Sequence, residues 1–378
     1  AFAKGGFSVT CADPHVSLSN FNNKEEDLRT TAFLLPSKLF LETIDVWKEF
    51  ENFSVPLTAM RIIEARGTDK ETKIRVQKEF RSEDLSTSPF GWNVPNWLAR
   101  KSLIKIIQKT KNIQFLSKIE TVDLFLRDSG ALVYLENGST INANMVIGAD
   151  GRSSLVREKS GIKVIKKNFD QSALSFVVTH DHQHKNITTE IHLKGGPFTL
   201  IPLPNYNDKP SSAIVWMEKN KETDLLLGLQ KNEFEKKIRL RSCDILGKLK
   251  LQTSINRWPI LSQLAVRLST QRVVLIAEAA HVVPPIGAQG LNMSLLDIKT
   301  ILELAKKSPN SVGDENMVRE YHNIRINDLR KRVSGISILN QISISENQIA
   351  QDIRVLGLKA LHEIKPIRKS LMKLGLGH

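Results

Sequence analysis

Apolar and polar positions repeat along this chain with two different periods, and the switches between them outline its elements. Residues 1–4 read as the last turn of a helix, Gly5-Gly6 as its stop, and Phe7–Ala12 as a strand closing at Asp13. A polar stretch from Ser17 to Asp27 reads as a loop. From Arg29, the segment RTTAFLLPSKLFLETIDVWKEF spaces Leu39, Ile44 and Trp47 as an amphipathic helix would. Residues 56–80 alternate apolar positions (Met60, Ile62; Ile74, Val76) and predict a pair of strands. Asn96 to Lys109 predicts a basic amphipathic helix with Leu98, Leu103, Ile106 and Ile107 on its inner face. Short strands follow near 113–118, 120–127 and 131–135, and Met145–Gly148 enters a Gly/Asp turn.

Between about 170 and 217 the period is two: SALSFVVTH, ITTEIHLK, FTLIPLP and SSAIVWM are strands, and NYNDKPSS is the turn before the last. Helical spacing returns over 222–248. After Arg272 a buried strand, VVLIA, leads to a second Gly-rich turn and a long helix from Leu291. Beyond about 330 the pattern is helical to the end. Mixed βα units interrupted by one antiparallel block predict an α/β nucleotide-binding domain, built from separated stretches, with an inserted sheet domain.

Composition narrows the class. The 378 residues suit two interleaved domains, and 41% apolar with 25% charged residues is ordinary for a globular protein. No run of about 18 apolar residues exists to span a bilayer. Cys11 and Cys243 have neither metal-ligand spacing nor disulfide density, which reads as a reducing, cytoplasmic chain. The formal charge of +14 favours an anionic partner. The basic residues are dispersed, without zinc-finger spacing or an RNA-binding signature, so nucleic acid is not expected. Position 1 is Ala and begins inside a helix end, so residues before it are expected to be absent; no signal-peptide order is present.

Two turns carry chemistry. In RVVLIAEAAHVVPPIGAQGLNMSLLDIK (272–299), a buried strand is expected to end at Glu278, Pro284-Pro285 stiffen the loop, and Gly287-Ala288-Gln289-Gly290 precede a helix at Leu291. Glycines allow close backbone approach to a flat ligand, and the helix start offers unpaired N–H groups to a pyrophosphate or a flavin carbonyl edge. A Gly-capped loop before an ordinary helix is the rival reading. In MVIGADGRSSLVREKSGI (145–162), Gly148, Asp150 and Gly151 make a tight turn, with Ser153, Ser154 and Arg157 just beyond it. A type I turn with a Ser cap is its rival.

In this order the two strings resemble the DG and GD motifs of the class A FAD-dependent aromatic hydroxylases. RTTAFLLPSKLFLETIDVW, FGWNVPNWLARKSL, GGPFTLIPLP with SSAIVW, and the tail KPIRKSLMKLGLGH resemble the ubiquinone-biosynthesis hydroxylase group, so the resemblance covers nearly the whole chain. It implies a discontinuous Rossmann-like FAD-binding domain (1–65, 91–168 and 258–330). It also implies a substrate domain made of a hairpin (66–90) and an antiparallel sheet (169–257), then C-terminal helices (331–378). By the same resemblance Asp13 binds the adenosine ribose, Arg29 contacts the flavin cofactor, and Asp150 serves the pyrophosphate and the nicotinamide nucleotide. Glu278 binds the ribityl chain, and Pro285, Gly287, Gln289, Gly290, Leu291 and Asn292 shape the flavin-ring site; Asn96 is a weaker match. Two departures stand out. The family's GxGxxG turn is not in these residues, which implies weak FAD binding by them alone, and its Gly-Asp pair is Ala277-Glu278 here.

The activity implied is hydroxylation of a polyprenyl phenol ring in ubiquinone biosynthesis, using NAD(P)H and O2 through a flavin C4a-hydroperoxide. A hydroxylase of a small soluble aromatic acid and a catalytically silent quinone-pathway subunit are the alternatives. The C-terminal stretch IRVLGLKALHEIKPIRKSLMKLGLGH mixes apolar and basic residues, as a peripheral helix on an anionic membrane would, or one packed on the protein. Partnership in a ubiquinone-biosynthesis complex is also implied. His281 reads as a loop-capping histidine rather than a base, and His180, His182, His184 and His192 lack the partners a metal needs. Phe198 and Trp216 either face the ring site or pack in the core, the core being the default.

Overall fold

A computed structural model describes residues 1–15, 29–67, 71–86, 88–345, 347–366, 368–369 and 372. A single 3-10 turn, Ala3–Gly5, stops at Gly6, whose φ of 92° is left-handed and whose N–H returns to the Ala3 carbonyl. Strand β1 (Val9–Asp13) follows. The expected polar loop from Ser17 to Asp27 lies outside the described residues. The single helix expected from Arg29 is instead a strand, β2 (Thr30–Leu34), and a shorter helix, α1 (Leu35–Thr43). Pro36 explains the break: it has no N–H to donate to the Ala32 carbonyl, so a helix cannot run through it, but it fits the first turn of α1, which starts after an extended Leu34.

Strands β3 (Val55–Leu57), β4 (Ala59–Gly67), β5 (Thr72–Arg81) and β6 (Gly91–Pro95) lead into α2 (Asn96–Lys109). The inner face of α2 is not the one its largest residues suggested. Ala99 and Ile104 are buried, Ile106 packs beside them, and Leu103 is 39% exposed. Next come β7 (Ile113–Ser117), parallel to β1, and an antiparallel meander of β8 (Thr121–Arg127), β9 (Gly130–Leu135) and the unforeseen β10 (Thr140–Ala143). Strand β11 (Val146–Gly148) then delivers the first Gly/Asp turn, followed by α3 (Leu155–Lys159).

The antiparallel block is β12 (Val164–His180), β13 (Ile187–His192), β14 (Pro197–Tyr206) and β15 (Lys209–Lys219). Asn207 and Asp208 both have positive φ, giving the two-residue turn whose twist suits a hairpin between Tyr206 and Lys209. Helices α4 (Asn220–Leu227) and α5 (Lys231–Arg241) precede β16 (Leu249–Leu251), β17 (Asn256–Ala265), β18 (Ser269–Thr270) and β19 (Val273–Leu275). A one-turn helix, α6 (Ala277–Ala280), the short β20 (His281–Val282), and α7 (Gln289–Lys307), α8 (Glu315–Ile344) and α9 (Gln348–Glu363) complete the chain.

The large sheet runs β20-β17-β12-β15-β14-β13-β4-β5, with β16 beside β12, and is antiparallel except between β13 and β4. Strand alternation gives it two dissimilar faces. Leu174, Phe176, Phe198, Trp216 and Ile191 point to one face and close over Phe234 and Ile238 of α5. Ala173, Met217 and Ile260 point to the other, where Ile286 of the second Gly-rich loop packs on them. A smaller sheet, β11-β19-β18, sits in a second core in which Val273, Val274 and Leu275 are wholly buried. Burial on both faces is why this strand reads as an unbroken apolar run.

Candidate functional site

Strands β11 and β19 are parallel neighbours, with Gly148 opposite Leu275, and the Ile276 N–H donates to the Gly148 carbonyl at 3.0 Å. Both motif-bearing loops therefore leave the same end of one sheet, where α/β folds commonly bind ligands. Gly148 permits this closeness, since a Cβ there would stand 2.8 Å from Leu275 Cδ2 and 2.9 Å from Val156 Cγ1.

The first loop closes on itself. Asp150 accepts the Ser154 hydroxyl at 2.5 Å and the Val156 N–H at 3.0 Å, and Ser154 Oγ accepts the Arg157 N–H at 2.9 Å. Asp150 and Ser154 thus cap α3 together, and the Ser cap weighed against a nucleotide-binding turn is present. Arg157 turns inward and donates to the carbonyls of Ala279 (2.9 Å) and Arg152 (3.0 Å). It ties one loop to the other, and burial pulls its pKa below the usual value.

The second loop departs from expectation at its start. Strand β19 ends at Leu275, not at Glu278, which lies within α6 with a 52% exposed side chain 3.5 Å from Arg152 Nε. The strand stops because Ala277 takes a left-handed φ of 53°, a conformation glycine adopts freely and alanine does not. Gly287 (φ 65°) and Ala288 (φ 55°) are also left-handed, and α7 begins at Gln289, two residues earlier than expected, with no side chain capping its N–H groups. Pro285, Gly287, Gly290 and Leu291 are exposed there, whereas Gln289 and Asn292 turn inward.

Asn292 commits its whole amide to the protein. Its Oδ1 accepts the Leu34 N–H at 2.9 Å, and its Nδ2 donates to the carbonyls of Ala32 (2.8 Å) and Ala288 (2.6 Å). It is a tie between α7 and β2, the strand that follows Arg29. The Arg29 guanidinium stacks 4.2 Å above the Trp258 ring, and the neighbouring Thr30 Oγ1 is buried without a partner. Asp13 ends β1, which pairs with β7 in a separate two-stranded sheet, and its carboxylate accepts the His15 N–H at 2.8 Å. Asn96 accepts the Thr31 hydroxyl at 2.8 Å.

Beneath the second loop lies a buried charge network that the motifs did not reveal. Asp297, fully buried on α7, accepts His281 Nε2 at 2.7 Å, Arg325 Nε at 2.8 Å and the Ala277 N–H at 3.3 Å. Asp328 continues it, accepting Arg325 Nη1 (2.7 Å) and Arg332 Nε (2.8 Å), and Arg332 reaches Gln289 Oε1 at 3.1 Å. Burial opposes the Arg325 charge, but Asp297 and Asp328 outweigh it and raise its pKa. A signal was available: Asp297 shares the helical stripe of Met293, Thr300, Ile301 and Leu304, and an acid on an inner stripe needs a partner. His281 is a structural histidine in this network.

The remaining candidates resolve away from the loops. Phe198 and Trp216 pack edge to face, 5.5 Å apart, in the core on the α5 side of the sheet, and so do not face the ring site. His180 bonds the His182 carbonyl and Ser212, His184 the Leu203 carbonyl, and His192 the Glu190 carboxylate. Among the described residues no group of His, Cys, Asp or Glu could hold a metal, and no helix is long and apolar enough to cross a membrane.

The ring end of a flavin fits this arrangement. The start of α7, which no side chain caps, and the left-handed Gly287-Ala288 pair before it offer backbone donors, and Glu278, half-exposed and paired with Arg152, is an acid on the same loop.

A family model described as FAD binding domain matches residues 41–331. The ubiquinone hydroxylase UbiL of Rhodospirillum rubrum is 26% identical over 383 residues, an alignment covering 100% of this chain and 86% of that protein. The 3-demethoxyubiquinol 3-hydroxylase of Escherichia coli is 21% identical, covering 99% of this chain and 94% of that protein. Among solved structures, p-nitrophenol 4-monooxygenase PnpA from Pseudomonas putida superposes with a TM-score of 0.78 at 14% identity, covering 99% of this chain and 93% of that one. The flavin-dependent monooxygenase PieE, solved with FAD and substrate, gives a TM-score of 0.72 at 15% identity, covering 100% of this chain and 68% of that one.

Proposed function

This chain belongs to the FAD-binding-domain family and is a FAD-dependent monooxygenase, and we propose that it hydroxylates the ring of a polyprenyl phenol in ubiquinone biosynthesis. The observation that best supports the reading is the parallel pairing of Gly148 with Leu275, from which the Asp150 turn and the loop bearing Glu278 leave the same end of one sheet. The ubiquinone hydroxylases that align along the full chain supply the substrate class.

Bound FAD would supply the redox chemistry of a hydroxylation that uses NAD(P)H and O2. The chain's residues position and shield. The backbone of Gly287 and the start of α7 at Gln289, Gly290 and Leu291 would hold the carbonyl edge of the flavin ring, since the positive end of the helix dipole favours negative charge there. Pro285 stiffens the approach, and Glu278 accepts hydrogen bonds from the ribityl hydroxyls. Arg29 contacts the cofactor from the β2 side, and Asp13 serves the adenosine ribose. Asp150 acts by capping α3, which frees its backbone turn for the pyrophosphate. Asn292 holds α7 against β2, so that the Arg29 strand and the ring cradle move as one body.

The substrate's tail suggests where the protein works. Ile338, Leu339 and Ile342 of α8 and Ile353 and Leu356 of α9 are exposed, and Arg354 Nη1 ties the helices by donating to the Ile342 carbonyl at 2.7 Å. With exposed Lys331 and Lys359 nearby in the chain, this surface suits an anionic membrane holding a prenylated substrate. Vesicles containing phosphatidylglycerol should pellet the protein, and pure phosphatidylcholine vesicles should not.

The decisive experiment follows NAD(P)H oxidation by the FAD-loaded protein. Stimulation by a prenylated phenol, with a hydroxylated product and no response to small aromatic acids, is expected. A response to small acids alone would replace the substrate class. A full-length protein that takes up no flavin would replace the enzyme with a silent subunit.

A further inference from the structure

We infer that Thr199, Ile201 and Val215 form the floor on which the substrate ring lies, and that this floor selects a neutral, alkylated ring over one carrying a carboxylate. The inference rests on the polyprenyl-phenol reading and adds to it the residues that set substrate choice.

The floor follows from register. Strands β14 and β15 are inner strands of the large sheet, with β13 on one side and β12 on the other. On one face of the pair, Phe198, Leu200, Ile214 and Trp216 are at most 5% exposed beneath α5. On the other face Thr199 lies opposite Val215 and Ile201 opposite Ala213, and Pro197 and Met217 continue the same two strands. Thr199, Ile201 and Val215 are only half-buried there. No sheet edge accounts for that exposure, so space lies open in front of them.

Helices close the face on both sides of this opening. α8 reaches β12 and β17 through Asn340–Gln171 (2.7 Å) and Ser337–Ser262 (2.7 Å), and α9 covers the far strands with Val355 and Leu358 on Val76. The opening also borders the second Gly-rich loop. Val215 and Ile286 of that loop pack against the same cluster of Ala173, Met217 and Ile260. A flat ring on Thr199 and Val215 stands beside the loop that leads into α7, with Ile201 and Ala213 left for the start of its tail.

Charge decides which ring fits. The floor residues Pro197, Thr199, Ile201, Ala213, Val215 and Met217 carry a single hydroxyl and no charge. Glu190, opposite Thr199, brings an acid, and His192 is matched to it at 2.8 Å, so the pair offers no surplus positive charge. Arg354 is paired with Glu64 (2.8 Å), Lys78 with Glu363 (3.6 Å) and Arg152 with Glu278 (3.5 Å). Arg29 lies over Trp258, two strands from Met217 and roughly 10 Å away at the usual spacing. Lys219 stands exposed at the end of β15, roughly 13 Å along the strand from Val215. A carboxylate set on the floor gives up its water for no cation and meets Glu190 instead. A phenol hydroxyl keeps a partner in Thr199, and a prenyl chain covers Ile201 and Val215 at no such cost. A charge left unpaired discriminates more strongly than size alone.

The test uses full-length, FAD-loaded protein and compares a phenol bearing a short prenyl chain with the same molecule carrying a ring carboxylate. Binding is read from the shift of the flavin spectrum without NAD(P)H, and hydroxylation from product. The neutral compound should be preferred by about 100-fold or more in kcat/KM, the scale of a buried charge left unpaired. Val215→Arg should bind the acid and lose most of that preference, with the flavin spectrum of the unliganded protein unchanged. Val215→Phe fills the opening without charge, and should raise KM for the prenylated phenol about tenfold at unaltered flavin content. Equal turnover of the two compounds by the wild type overturns the inference and leaves the polyprenyl-phenol reading in place. So does a Val215→Arg protein that holds flavin yet keeps its preference within about threefold. Should that variant shed flavin, an unmoved KM in Val215→Phe overturns it instead. A wild-type protein that hydroxylates neither compound overturns the reading beneath, and this inference with it.

Discussion

Asn292 and Leu34 lie 258 positions apart in the chain, and the side-chain carbonyl of one accepts the backbone N–H of the other at 2.9 Å. This bond and its two companions fasten the start of α7 to β2. Asn292→Ala leaves the buried Leu34 N–H without a partner and should cost about 1–3 kcal/mol. Urea unfolding measures that loss, and flavin release should quicken in the same variant. Asn292→Asp restores the acceptor but not the donors and should fall between the two.

Ala277 is strained where the related motif carries glycine. Its φ of 53° is left-handed, and relieving it with Ala277→Gly should stabilise the protein by about 1 kcal/mol. Ala277→Val should destabilise, because a β-branched residue tolerates that conformation worse still. A raised urea midpoint for Gly and a lowered one for Val, with unchanged slopes, would establish the point. Equal midpoints would refute it.

Asp297 holds the Arg325 guanidinium, the His281 ring and a backbone N–H in a fully buried site. Removing it with Asp297→Ala strands Arg325 and should cost about 3–5 kcal/mol. Loss of flavin should accompany partial unfolding, since Asp297 anchors Ala277 at the head of the cradle loop. The companion acid behaves differently with pH. Burial alone would raise the Asp328 pKa, but Arg325 and Arg332 hold it below the usual carboxylate range. Its contribution is complete above about pH 4 and is lost as the pH falls through the folded value.

His180 and His184 set a second pH window. Burial lowers the pKa of each, so the unfolded chain binds protons that the folded chain resists. Stability from these two residues is intact above about pH 6.5 and declines as the pH drops below it toward their folded values. Replacing both with Gln should flatten the stability profile between pH 7 and 5. A slope unchanged from the parent would exclude them as its source.

Local chemistry made much of this fold legible. The bounds of α2, the strand rhythm of the antiparallel block and both Gly-rich turns follow from capping, alternation and turn residues, which act over a few positions. Three features did not follow, each for a tertiary reason. Thr30–Leu34 reads as helix by spacing, but pairing with β6 and the proline two residues on from Leu34 make it a strand. The strand before Glu278 reads as continuing to that acid, but it ends at Leu275, beyond which the Ala277 N–H turns to Asp297 of α7. The Asp297–Arg325 pair joins two helices, and the inner-stripe position of Asp297 calls for a partner without showing which distant residue supplies it.

The parallel pairing of Gly148 with Leu275 also governs when the protein can first capture its cofactor. A ribosome extrudes the Asp150 turn early, then must thread out the whole antiparallel sheet before the neighbouring strand emerges, and further still before α7 arrives to finish the cradle. Until that strand arrives, a nascent chain carries the β11 edge unpaired, the kind of exposed edge that invites pairing with another chain.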